Sequence, residues 1–259
     1  MRCGGVVLVM SATFLFSVSS CAAQSSVNNS NEIQPLTCNQ VAAWLAGGVS
    51  SQRVERMTHE YGISFSVDAS VRESLKKVGA EASLLDTIGH SQGKDTANCS
   101  PKLVKAGSLI RNKNYPDAEA ILRRLVEDAP ANSALHFALA YVRQQQGDWD
   151  EAYDEYSEAK QYMPALPEVH SRLAYDFYVS HDGDNTIAEA RTALSLDPQN
   201  AEGYRDLGLG LYSNEKYDAA LYAFRESLAL QPNNPETNFG IAMTQEARHN
   251  LKAAMSGTK

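Results

Sequence analysis

The chain is poor in the residues that enzymes and metal sites cluster. Its 259 residues include four cysteines, six histidines and two tryptophans. There is no CxxC pair and no Cys/His cluster, so no ligand set has the spacing that zinc needs. The histidines at 59, 90, 136, 170, 181 and 249 never fall into an HExxH or His-x-x-x-His spacing. No GxSxG elbow occurs. Gly208-Leu209-Gly210 lacks the third glycine and the following lysine of a phosphate loop. The sequence therefore gives no catalytic residue, metal site or cofactor site, and a non-enzymatic role is expected. Basic residues are also scarce, 23 against 31 acidic, for a formal charge of −8. Phosphate backbones require clustered Lys and Arg, so nucleic acid is excluded as a partner. The longest apolar run, Val6 to Val18, is too short to cross a bilayer comfortably.

That run has a different use. Met1-Arg2 is a short positive start, and small residues surround Cys21. This layout is that of an export signal. Val18-Ser19-Ser20-Cys21 resembles a bacterial lipobox. The resemblance implies cleavage before Cys21, a signal over residues 1–20 and a lipid on the Cys21 sulfur. Ordinary cleavage near Ala23 is the alternative. Residues 21–34, rich in Ser, Asn and Gln, read as a flexible tether. Ala22 after the cysteine fits outer-membrane sorting by the enterobacterial rule. The expected location is the periplasm, with a lipid anchor in the membrane.

Once Cys3 leaves with the signal and Cys21 carries lipid, Cys38 and Cys99 remain. An even pair in an oxidising compartment points to a Cys38–Cys99 disulfide, worth about 4 kcal/mol in the chain-entropy picture. Two buried thiols are the alternative.

Residues 35–90 read as a small helical domain. Thr37 and Gln40 have capping-box spacing, Gly62 and Gly79 stop helices, Ser50 or Ser51 is positioned to start the second helix, and Ser66 or Asp68 the third. Eleven apolar residues, from Val41 and Trp44 to Leu85 and Ile88, form inner faces at helical spacing. Such a unit is marginal on its own. Residues 91–98 read as a linker.

Four prolines, Pro130, Pro164, Pro198 and Pro232, follow each other at one constant step. Other residues keep the same step. Ala106, Ala140, Ala174 and Gly208 form one small-residue column; Ala118, Ala152, Thr186 and Ala220 form a second; Ala159, Ala193 and Ser227 belong to a third. Small residues let two helix axes approach, and proline stops the second helix of each pair. In both its residues and its period the pattern resembles the tetratricopeptide repeat over residues 99–234. That family implies an all-α, right-handed helical solenoid of four repeats. Residues 235–259 would supply a capping helix and tail, with the small helical domain in front.

The resemblance also implies a concave groove lined by the first helix of each pair. Its positions fall on Phe137, Tyr141, Gln144, Tyr175, Tyr178, Arg205, Leu209, Tyr212 and Phe239. The partner would be a protein or peptide segment. An adaptor in envelope or pilus assembly is the reading this supports. The alternatives are a self-associating solenoid and an enzyme accessory with its chemistry in 35–90. The oligomeric state is not given by the sequence.

Overall fold

The computed structural model describes residues 35–90, 93 and 99–257. The signal, Cys21, the tether and nearly all of the linker lie outside the described residues. Among those described, thirteen α-helices and no strand are present.

The first four helices are α1 (Cys38–Ala46), α2 (Ser51–Tyr61), α3 (Ala69–Val78) and α4 (Ala82–Gly89). Local chemistry sets their ends. Thr37 and Gln40 close a full capping box, with Gln40 N donating to Thr37 Oγ1 at 3.2 Å and Thr37 N donating to Gln40 Oε1 at 2.9 Å. The Asp68 carboxylate accepts from Val71 N at 2.8 Å. Gly79 ends α3 at φ 115°, a left-handed position suited to glycine. Gly62 follows α2, and a parallel bridge from Leu36 to Ile63 ties the entry of α1 to the exit of α2. All eleven residues expected on inner faces are buried.

The repeats follow as helix pairs: α5 (Pro101–Arg111) with α6 (Tyr115–Asp128), and α7 (Ser133–Gln146) with α8 (Trp149–Tyr162). Next come α9 (Pro167–Val179) with α10 (Gly183–Leu196), and α11 (Ala201–Ser213) with α12 (Tyr217–Leu230). Every residue of the three small-residue columns is buried. The period is also written in the backbone. Lys113, Gly147, His181 and Glu215 all have positive φ, each one repeat after the last, in the turn between the two helices of a repeat. Only one of the four is glycine, so the turn geometry outweighs the roughly 1 kcal/mol cost of a left-handed side-chain residue.

The closing helix α13 runs Pro235–Gly257, so the capping helix takes up nearly all of residues 235–259 and leaves little tail. Helix-forming residues continue through Lys252, Ala253 and Ala254, and nothing stops the helix before Gly257. Thr237, Gly240 and Thr244 face inward. The Phe224 ring fills the gap between Gly208 and Gly240, where a Cβ at either glycine would come within 2.6 Å of it.

The sequence leaves the relation between residues 35–90 and the repeats open. In the structure they share one core, within the unit Gln34–Lys259. The apolar cluster that contains Trp44, Met57 and Leu75 also contains Leu103, Phe137, Tyr156 and Leu173. A Cys38–Cys99 disulfide, with Cα atoms 5.0 Å apart, joins the start of α1 to the residue pair ahead of α5.

Candidate functional site

The first helices of the repeats build one face, and α1 lies on its N-terminal part, against α5 and α7. Gly107 in α5 is buried against Val78 and Ala46; a Cβ there would meet Val78 at 2.6 Å. The Trp44 ring stands edge-on to Phe137, centroids 5.1 Å apart, and Phe137 in turn stands edge-on to Tyr156 at 5.3 Å. Gly47 presses on the Phe137 ring, and Gly48, at φ 82°, on the Tyr141 ring.

The contact extends further by charge. In α2, Arg53 Nε donates to Glu168 Oε1, and Arg53 also lies 3.7 Å from Asp197. Arg56 Nη2 donates to Asp197 Oδ2 at 3.2 Å. Burial alone would push the Glu168 carboxyl well up, and the Arg53 guanidinium counters that. A polar cleft of about 490 Å³ opens beside these pairs, lined by Arg53, Glu168, Arg172, Asp197, Glu202 and Leu230 among others.

This arrangement corrects part of the expected groove. Phe137 is fully buried under Trp44 and lines no open surface. Tyr141 is partly covered, with Gly48 on one side and the Arg172 guanidinium 5.6 Å from its ring centre. Gln144 is buried too: its Nε2 donates to Asp176 Oδ1 at 3.1 Å, and its Oε1 accepts from Tyr156 Oη at 3.2 Å. Arg205 is turned into the wall, where it donates to the fully buried Asp206 at 2.9 Å and lies over the Tyr175 ring. Leu209 is 6% exposed and belongs to the core of the last repeats. Tyr175, Tyr178 and Tyr212 remain half-buried on the same face, and Phe239 is 64% exposed. The expected groove positions that keep exposed surface therefore lie mainly in the C-terminal half.

Beneath it runs a buried polar seam that sequence reading assigns to solvated helix faces. Asp176 and Asp206 are buried, and burial pushes their carboxyls up to about 7 and about 6. Each has one oxygen with no hydrogen-bond partner among the described residues. Arg172 and Arg205, packed on tyrosine rings, offset part of that cost. Tyr141 and Tyr175 keep the repeat step but the two arginines do not, so the sequence carries no periodic sign of these contacts.

The two histidines at equivalent repeat positions, His136 and His170, make the same contacts. His136 Nδ1 lies 2.6 Å from Glu155 Oε2 and its Nε2 2.7 Å from the Pro130 carbonyl; His170 sits equally between Glu189, at 2.6 Å, and the Pro164 carbonyl, at 2.9 Å. In each case both partners are acceptors. For His136 the Glu155 hydrogen bond raises the pKa. This is packing and charge within a repeat, away from the groove. A raised folded-state value gives stability that is fully present below about pH 6.5, the ordinary histidine value, and lost as pH rises through the folded value. The raised Asp176 and Asp206 act in the same direction, but their window closes by about pH 7. Urea midpoints are therefore expected to keep falling as pH rises above about 6.5, the ordinary histidine value, and His136→Gln to flatten that upper limb. An unchanged upper limb in the variant would show that His136 does not carry it.

Among the described residues, no group of three or more His, Cys, Asp or Glu side chains could hold a metal ion, and no helix is long and apolar enough to cross a membrane.

Comparison with known proteins agrees with the architecture. Residues 109–174 and 201–234 match tetratricopeptide-repeat families. No curated protein matches the sequence significantly. Among solved structures, the MamA protein is 15% identical, with 60% of this chain and 85% of that chain covered at a TM-score of 0.50. The first tetratricopeptide domain of human RPAP3 is 19% identical over 48% of this chain and 98% of that one, at 0.45. The first such domain of Spaghetti (RPAP3), bound to the HSP90 peptide SRMEEVD, is 20% identical over 45% and 93%, at 0.42. The MamA likeness supports the fold alone.

Proposed function

We propose, from the premise that the chain is a tetratricopeptide-repeat protein, that it is an exported adaptor that holds a protein segment on its first-helix face. One observation carries the reading. The chain's own N-terminal helices fill half of that face and leave the other half, with Tyr175, Tyr178, Tyr212 and Phe239, uncovered. Clustered aromatic side chains with partial exposure are the usual anchors of recognition surfaces. Tyrosine adds contact area at little rotamer cost and keeps a hydroxyl for hydrogen bonding. The Cys38–Cys99 disulfide supports an oxidising compartment, as export to the periplasm requires. A lipid on Cys21 would hold the chain at the membrane, in a role such as envelope or pilus assembly.

The test is a pull-down from cells with the full chain and with Tyr175→Ala/Tyr178→Ala/Tyr212→Ala. These three rings are only half-buried, so the variant is expected to fold and to lose its captured partner by roughly tenfold or more. Retention of the same partner at full yield would remove the groove from consideration. Fractionation of the same cells reads the anchor: Cys21→Ser is expected to move the chain from membrane to soluble fractions, and no movement argues against lipidation.

A further inference from the structure

The repeat period allows the covered half of the groove to be compared, position by position, with the open half. In the covered half, the occupant is visible. Helices α1 and α2 bring an aromatic ring, Trp44, onto Phe137, small residues, Gly47 and Gly48, onto Phe137 and Tyr141, and an arginine, Arg53, onto Glu168.

The receiving residues recur. Phe239 stands three periods after Phe137 and occupies the same place in its helix. Phe137 is fully buried because Trp44 covers it; Phe239 is 64% exposed. Glu168, Glu202 and Glu236 follow one another at the repeat period, at the second position of α9, α11 and α13. Glu168 holds Arg53. Glu202 is partly exposed, with Arg172 at 3.5 Å and Arg205 also close enough to act on its charge, and Glu236 is exposed with no ion pair among the described residues. Leu209 and Met243 repeat the place of Tyr141. Arg205, the one cation at these positions of the open half, is committed to the buried Asp206. The polar cleft beside Arg53 and Glu168 runs on to Glu202, so the open half continues an interface that the chain already makes with itself.

We infer that the open half takes an α-helical segment of another protein that presents arginine or lysine, beside small residues and one aromatic side chain, and so repeats what α1 and α2 do next to it. The basic groups meet Glu202 and Glu236. The aromatic ring covers Phe239. The small residues allow the helix backbone to lie close on Met243, as Gly48 does on Tyr141. The chain's acidic balance steers such a segment toward the face. This rests on the groove reading above and adds the chemistry of what the groove accepts.

The experiment uses the full soluble chain and two fluorescein-labelled, Ala-rich helical peptides. Each carries one Trp; one has an Arg pair at i and i+3, the spacing of Arg53 and Arg56, and the other has Glu at both places. The Arg peptide is expected to bind, and to weaken as salt is raised. Glu202→Gln/Glu236→Gln is expected to weaken it by roughly tenfold, from two partly exposed charge pairs. Phe239→Ala is expected to weaken both the Arg peptide and its salt-independent component, again by roughly tenfold. These positions are exposed or partly so, and circular dichroism checks that the variants fold. Equal binding of the two peptides, or indifference of the Arg peptide to the Glu variant while Phe239→Ala still weakens it, overturns the basic partner and leaves the groove standing. Binding indifferent to every variant overturns both. No binding of the Arg peptide overturns the inference, as does light scattering that shows a dimer dissolved by Phe239→Ala, because a second copy then fills the groove.

Discussion

Replacing Trp44 with alanine is expected to cost about 3–5 kcal/mol, the range for removing a fully buried large aromatic. Trp44 is wholly buried and its ring is packed edge-on against Phe137. For a chain of this size the midpoint of thermal unfolding should fall by roughly 10 °C or more. The loss is shared across the two halves, because Trp44 and Phe137 sit in one core. A double-mutant cycle with Phe137→Ala should return a coupling of about 0.5–1.5 kcal/mol for the aromatic pair beyond its area. Trp44→Phe gives the contrast. The indole nitrogen of Trp44 is buried without a hydrogen-bond partner, so phenylalanine removes an unpaired donor as well as some volume. Its cost should be well under that of alanine. A Trp44→Ala variant as stable as the parent, or one with two separate unfolding transitions, would mean that residues 35–90 fold apart from the repeats.

Breaking the disulfide has the second large effect. Cys38 and Cys99 are 61 residues apart in sequence, and the chain-entropy picture assigns such a loop about 4 kcal/mol. Cys38→Ser/Cys99→Ser, or reduction of the parent, should lower the urea midpoint and raise the slope, because the opened loop lets the unfolded chain expand. The effect should vanish in a background where α1 is already detached by Trp44→Ala, because the two act on one element. A loss below about 1 kcal/mol would show that the closed loop adds little to what α1 already gains from packing.

These two sites mark what the sequence does and does not declare. The proline step, the small-residue columns and the capping residues are local or periodic, and each is readable one repeat at a time. The eleven inner-face residues of 35–90 are readable for the same reason: helical periodicity sorts them before any partner is known. What covers them is a long-range matter. Phe137, Tyr141 and Phe239 look alike in a repeat alignment, because the period assigns each to the groove. Only the arrival of Trp44, from far upstream in the chain, makes one a core residue and leaves another at the surface. Arg53 and Glu168, separated by 115 residues, carry no local sign of each other. The buried Asp176 and Asp206 mislead in the opposite way, since an acidic residue on a helix is ordinarily a solvated one.

The docking of α1 also has a consequence in time. A chain emerging N-terminus first produces Trp44 long before Phe137, the residue it packs on. At the usual synthesis rate of about 5–20 residues per second, that gap in the chain is a wait of roughly 5–20 s. During that interval α1 can pack on α2, α3 and then α5, but the side of Trp44 that meets Phe137 has no partner. The helix that will block half of the finished groove thus begins as a partly exposed client, and its first need is for a surface of the kind it later fills.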